Sequence, residues 1–262
     1  MVSDYLLDGA TPDVVHSRFS ADSWQKITAP VPKEIELTIY VEGEELLTIL
    51  CTPTRLTHLV LGFLYSEGII TGKDDIASMR VCEDDQLADV RLSKPGYKPP
   101  PQRTLASGCG GGVSFISEGR KINSNIVIPP GSILSLMKRM NQRADLYRAC
   151  GGVHTSALAD AENILVIAED IGRHNTLDKI MGQCLMTGLS TRDKLLLTTG
   201  RISSEMLGKA SMMEAPIVIS RSSPTDRSIS LARELGITLV GYARGDRLSA
   251  YSHEERVEGA LD

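Results

Sequence analysis

Cys109 stands in the stretch A-S-G-C-G-G-G-V-S (106–114), among four glycines and shortly after Pro99, Pro100 and Pro101. A cysteine that only fills space belongs in a packed element, and glycines supply no packing. Glycine lets successive backbone N–H groups turn toward one sulfur, and such donors favour a thiolate. A thiol placed this way is suited to carrying something between two partners. Cys51, Cys82 and Cys184 sit in or beside apolar stretches and read as filler; Cys150, just before Gly151 and Gly152, fits either role.

A second group of residues suggests anion chemistry. Three successive apolar runs end alike, in T198-T-G-R-I-S-S204, S220-R-S-S-P-T-D226 and G241-Y-A-R-G-D-R247. Taken as parallel strands, they would place Arg201, Arg221, Arg244 and Arg247 on one sheet edge, where open α/β sheets bind ligands. Guanidinium forks match phosphate oxygens two at a time, and helix N-termini add free N–H groups. The expected ligand is a di- or polyphosphate, held by Thr199, Gly200, Arg201, Ser203, Ser220, Arg221, Ser222, Tyr242, Ala243, Arg244, Gly245, Asp246 and Arg247. Taken singly, a Ser or Thr before a helix is more simply a cap, and a lone Arg a solvated group; the threefold recurrence favours a site. E169-D-I-G-R-H-N-T-L-D178 crowds Arg173, His174 and Asn175 at the start of a helix; the plainer reading is a turn capped by Asp170, and the functional one has all three donate to the same ligand. His154, inside a strand, reads first as a hydrogen-bonded core residue and second as a ligand candidate.

The elements that must position these groups are legible from periodicity. Residues 1–30 read as a loosely held arm. E-I-E-L-T-I-Y-V (34–41) alternates as a half-buried strand, and 45–51 is its hairpin partner. Leu56, Leu59, Val60, Phe63 and Leu64 give a helix over 54–67, with His58 off its apolar stripe. Strands near 78–82 and 87–92 complete a small α+β module. Residues 93–125 form a long Gly/Pro-rich loop carrying Cys109; loops of this length are usually functional or disordered. From 126 onward the order is a helix (132–147, capped by Ser132), strands (153–159, 164–168), then alternating helices and strands (176–186, 194–199, 203–213, 216–220, 225–235, 237–242). That pattern predicts a three-layer α/β domain with a mostly parallel sheet, so the chain divides as arm 1–30, α+β module 31–125 and α/β domain 126–262.

Composition agrees with a folded two-domain protein. The chain has 262 residues, 42% hydrophobic and 23% charged, with aromatics at only 4%, so aliphatic side chains must fill the interior. No apolar run approaches the ~18 residues of a membrane span, and M-V-S-D-Y-L-L-D-G-A has neither the basic start nor the apolar core of a signal peptide. Five cysteines, an odd count without a C-x-x-C pair, predict a reduced cytoplasmic chain with neither disulfides nor a structural metal. Residues 1–90 carry 6 Lys+Arg against 16 Asp+Glu, whereas the remainder carries 22 against 17. Neither a nucleic-acid nor a membrane partner is expected of the acidic half, while the basic half can hold an anion.

G152-V-H-T-S-A-L158, E169-D-I-G-R-H-N-T-L-D-K179, T199-G-R-I-S-S-E-M206 and G236-I-T-L-V-G-Y-A-R-G-D-R247 together resemble the formate dehydrogenase accessory sulfurtransferase (FdhD) family, over about residues 33–255. The resemblance implies a cytidine-deaminase-like second domain. It also implies a cysteine, here Cys109, that takes persulfide sulfur from a cysteine desulfurase and passes it to the molybdenum or tungsten bis(guanine dinucleotide) cofactor destined for the formate dehydrogenase catalytic subunit. Tyr242–Arg247 match the family's cofactor-binding segment, and a homodimer is expected. Many members carry C-G-x-C in the loop; here Ala106 and Gly112 occupy the two partner positions. A one-thiol relay therefore competes with a non-catalytic carrier that only delivers the cofactor. Deamination is not expected, because His174 is followed by Asn175 and Thr176 rather than completing H-x-E, and no C-x-x-C exists.

Overall fold

In the computed structural model, which describes residues 8–94, 96, 104–105, 113–114 and 119–260, the stretch read as a loose arm contains an antiparallel ribbon, β1 (Ala10–Ser20) and β2 (Ser23–Pro32). Its two-residue turn places Ala21 and Asp22 at φ 48° and 61°, the positive values that match strand twist. No Asn-Gly or Asp-Gly advertised that turn. Phe19 stands opposite Trp24, with ring centroids 5.4 Å apart.

The first module is built from β3 (Ile35–Val41), β4 (Glu44–Cys51), α1 (Leu56–Ser66), β5 (Ile76–Cys82) and β6 (Leu87–Leu92), with sheet order β4-β3-β6-β5. Ile35, Leu37, Ile39 and Val41 alternate inward and pack under α1 in one apolar cluster. Thr104–Leu105 (β7) and Val113–Ser114 (β8) pair antiparallel. Cys109 falls between them in sequence, outside the described residues.

The second module contains α2 (Pro130–Gln142), α3 (Asp145–Cys150), β9 (His154–Ala159), β10 (Ile164–Asp170), α4 (Arg173–Thr187), β11 (Leu195–Thr198), α5 (Ser204–Met212), β12 (Ile217–Ser220), α6 (Asp226–Leu235), β13 (Thr238–Arg244) and β14 (Arg247–Ser252). Its sheet runs β10-β9-β11-β12-β13-β14. Alternation along the central strands creates two cores. Leu196, Val218 and Leu239 face α4, α5 and α6; Leu195, Leu197, Ile217, Ile219 and Val240 face α2. The result is three layers, an α/β unit within an α+β chain. No described helix is long and apolar enough to cross a membrane.

Three details differ from the sequence expectation. Only β11/β12 and β12/β13 pair in parallel, while β9, β10 and β14 make antiparallel pairs, so the sheet is mixed. The helix expected over 132–147 is two helices, and Ser132 is not its cap: Pro129 is the N-cap with Pro130 at the first helical position, where a missing N–H is harmless. The last strand, expected to end at 242, runs on to Arg244 as β13 and turns in a tight hairpin into β14.

The modules are fused through α4, which is buried on most sides. α1 and α4 cross so closely at Gly62 and Gly182 that a Cβ on either would land on the other helix's backbone, at the Asp178 and His58 carbonyls respectively. His58, expected on the surface, is therefore half-buried, and burial together with Arg55 lowers its pKa.

Candidate functional site

The carboxyl ends of β10, β11, β12 and β13 share one sheet edge, and β9 begins there, since His154 pairs with Asp170 and Thr198 with Ser220. Along this edge the chemistry divides into two neighbouring regions.

The first is a cleft of about 1040 Å³. One wall is formed by the strand ends, through Arg221, Ala243, Arg244 and Gly245. The opposite wall comes from α2 and α3 and contributes Lys138 and Arg148. These four cations are exposed, and among the described residues no carboxylate lines the cleft and none of the four makes a salt bridge. The Arg244 guanidinium lies 5.8 Å from the Tyr242 ring centroid, a cation–π placement that holds its fork in position. Tyr242 itself is at φ 52°, and its N–H donates to the Ser222 carbonyl at 3.0 Å, which sets the bend leading into Arg244. Arg201, Asp246 and Arg247 are exposed but do not line the cleft. Of the four arginines expected to converge, two do so. The partners that complete the cluster, Lys138 and Arg148, escaped sequence reasoning because they reach it from helices distant in the chain. The available signal was the α2 pattern: Ile133, Leu136, Met137 and Met140 form its core face, leaving Lys138 on the other side.

The second region centres on Gly200. Its buried N–H donates to Thr198 Oγ1 at 3.1 Å, and its carbonyl accepts from Ser220 Oγ at 2.6 Å. A Cβ here would meet the Arg173 side chain at 3.0 Å and His154 Nδ1 at 3.4 Å, so glycine allows both to close over the strand end. Thr199 Oγ1 accepts from the Thr155 N–H and lies 3.5 Å from His154 Nδ1. His174 Nε2 is 3.4 Å from Glu205 Oε2, both side chains being largely buried. Burial lowers the His174 pKa, the Glu205 contact opposes that, and Arg173 and Lys209 lower it further. Burial, Arg173 and His174 lower His154 in the same direction. His154, read as a core residue, thus stands at the edge with Arg173 and Thr199.

Several expected ligand groups have structural tasks. Ser203 caps α5, accepting from the Met206 N–H at 3.4 Å. Ser220 is fully buried, bridging the Gly200 carbonyl and the Ser222 N–H. Asn175, expected to donate to ligand, instead donates to the Leu50 carbonyl and to Asp170 Oδ1, at 2.9 and 2.8 Å. Asp170 does accept the Gly172 N–H at its turn, but its larger role is to bind Lys179 at 2.6 Å, with both side chains at 0% exposure. Cys51 and Cys184 are filler, with burial pushing their thiols up to about 12 and about 11. Cys150 is shifted up by burial and by Glu169, and its sulfur donates to the Leu146 carbonyl.

The sequence profile of the FdhD/NarQ family matches residues 32–258. The chain belongs to this family. Curated FdhD relatives named "Sulfur carrier protein FdhD" include one from Listeria innocua, 42% identical over 250 residues (92% of this chain, 96% of the relative). Another, from Bacillus subtilis, is 39% identical over 248 residues (92% and 95%). A crystal structure from Desulfotalea psychrophila, described as a formate dehydrogenase accessory protein, superposes with a TM-score of 0.79 at 24% identity, covering 94% of this chain and all of that one; it shows the FdhD fold.

Proposed function

We propose that this FdhD/NarQ chain is a sulfur carrier for formate dehydrogenase maturation. Cys109 accepts sulfur from the persulfide of a cysteine desulfurase and hands it to the molybdenum or tungsten bis(guanine dinucleotide) cofactor. In the loading step the Cys109 thiolate attacks the terminal sulfur of the donor persulfide. One S–S bond forms, one breaks, and the donor cysteine leaves as a thiolate, so no external oxidant or reductant is needed. The cofactor is cargo, held by its phosphates. The observation that carries the reading is the cleft in which Arg221 and Arg244 face Lys138 and Arg148, with no carboxylate of the described residues among its lining. In a chain of net charge −5, four converging cations with no acidic partner among the described residues leave a site for a polyanion. Arg173 and His174, around Gly200 on the same edge, orient the reacting end.

Incubation with a cysteine desulfurase and ³⁵S-cysteine tests the sulfur step. The protein should retain label that a thiol reductant releases, and Cys109→Ala should retain none; equal labelling of both removes Cys109 from the mechanism. Because Cys109 has no C-G-x-C partner, cofactor delivery without sulfur transfer is the second reading. Restoration of formate dehydrogenase activity by Cys109→Ala, in a strain lacking its own accessory protein, would select it.

A further inference from the structure

The cleft is two-sided, and its helical side is as basic as its strand side. We propose that Lys138 and Arg148 are phosphate-binding residues, that they grip a nucleotide diphosphate jointly with Arg221 and Arg244, and that Glu169 positions Arg148 for this task. The inference rests on the reading of the cleft as the cofactor's phosphate site and assigns half of that site to α2 and α3.

Three observations carry it. First, α2 has two faces. Its apolar face is spent on the core, and the opposite face presents Leu134, Lys138 and Asn141 to the cleft. Second, Arg148 is held in place: its Nη1 donates to the Gln142 carbonyl at 3.0 Å, which leaves its Nη2 edge for an anion. Third, the helix carrying Arg148 is fixed by the sheet. α3 has no side-chain cap of its own at Ala144. Instead, the Glu169 carboxylate at the end of β10 accepts from the Leu146 and Tyr147 N–H groups at 2.9 and 3.0 Å and from Thr155 Oγ1 at 3.1 Å. A carboxylate at a helix N-terminus is favoured by the free donors there. Through it, β10 sets the distance between Arg148 and the strand-end arginines. Like charges facing each other across a cleft repel, and an anion bearing two or three charges between them relieves that repulsion. Leu134 offers apolar surface to a base, and the Asn141 amide offers its edge a donor and an acceptor.

Isothermal titration of the full-length protein distinguishes the outcomes, with folding of every variant verified by its far-UV spectrum. The probes are guanosine diphosphate, the dinucleotide GppG (whose phosphates are internal, as in a cofactor arm), inorganic pyrophosphate and guanosine. Guanosine diphosphate should bind and be displaced by pyrophosphate, and guanosine should bind at least a hundredfold more weakly. Tighter binding of GppG than of guanosine diphosphate identifies the dinucleotide arm as the natural source of the phosphates; the reverse identifies a free nucleotide. Lys138→Ala and Arg148→Ala should each weaken binding about tenfold, as Arg221→Ala does, and raised salt should weaken it further. Glu169→Ala should reproduce the Arg148→Ala loss and add little to it in the double variant. Unchanged affinity in Lys138→Ala and Arg148→Ala, with loss in Arg221→Ala, overturns the inference and leaves the strand-end site standing. Absence of binding by the unmodified protein overturns both.

Discussion

His174 shows how burial and charge act on one side chain. Its surroundings favour the neutral form: burial lowers its pKa, and Arg173 and Lys209 add to that, against the pull of Glu205. A histidine whose folded pKa lies below its unfolded value of about 6.5 contributes stability that is present above that value. This contribution is lost as pH falls toward the folded pKa, because the unfolded chain takes up the proton first. His154, Arg173, Lys209 and Glu205 all act in the same neighbourhood. His174→Gln keeps a hydrogen-bonding side chain and cannot titrate. Urea midpoints should therefore fall more steeply in the parent than in His174→Gln between pH 7.5 and 5.5. Parallel slopes would mean that folding leaves the His174 pKa unshifted, and a shallower fall in the parent would mean that folding raises it. The types and spacing of these residues identified Arg173 and His174 as edge residues, but not the division of labour within the motif. Asp170, Asn175, Asp178 and Lys179 carry the same polar signature and are turned inward, because a helix packed on most sides has few outward positions.

At the scale of elements, the α1–α4 crossing depends on two missing side chains. Adding a methyl at Gly62 or Gly182 forces the helices apart, and overpacking of this kind costs about 1–3 kcal/mol, rising where backbone is struck. Gly62→Ala and Gly182→Ala should each lower the urea midpoint accordingly. Gly208→Ala, on α5 with open space around its Cβ position, should be neutral or stabilising by up to about 1 kcal/mol. Equal effects at all three positions would show that the crossing is not the constraint. Strong periodicity made the central strands and α1, α4, α5 and α6 readable in sequence, since each is placed by an apolar pattern. The β1–β2 ribbon was not readable, because its exposed sides carry few burial cues and its Ala21-Asp22 turn is unconventional. β14 was not read at all: its first residue, Arg247, closed the segment taken as a strand end, whereas one turn, Gly245-Asp246, both ends the arginine-bearing strand and starts its partner. The α2 wall of the cleft was unreadable for a third reason. A residue's neighbours across 80 or more positions are set by the layer order of the sheet and its helices, which no local pattern encodes.

On the scale of the whole molecule, two charged clusters hold the modules together. Lys209 donates to both carboxylate oxygens of Asp178 at 2.8 and 2.9 Å, lies 3.1 Å from Glu67, and sits 5.3 Å from the Phe63 ring centroid. Burial pushes the Asp178 carboxyl up and the Lys209 ammonium down, yet Asp178 and Glu67 bring Lys209 above its usual value; the bidentate geometry supports the charged pair. The other cluster ties the edge of the first sheet to the motif after β10. Lys179 donates to the Thr52 carbonyl at 3.1 Å and to Thr54 Oγ1 at 3.0 Å, and Asp170 accepts the Thr52 N–H at 3.1 Å. Removing one member of a buried pair leaves an uncompensated charge, at a cost of about 3–5 kcal/mol, whereas replacing both by apolar residues of similar volume is often neutral. Asp170→Ala should therefore be strongly destabilising, and Asp170→Leu/Lys179→Met should recover only the part due to the uncompensated charge, because the Thr52, Gly172 and Asn175 donors stay unpaired. Because the staple joins modules that each have their own apolar core, its loss should also uncouple them. In the parent, the slowest-exchanging amides of β3 and β4 and those of β11 and β12 should report the same opening free energy, that of global unfolding. In Asp170→Ala the β3 and β4 amides should exchange faster than those of β11 and β12. If the two sets remain equal in the variant, the α1–α4 crossing alone makes the chain one cooperative unit, and the ion pair adds stability without setting the module geometry that aligns the sheet edge.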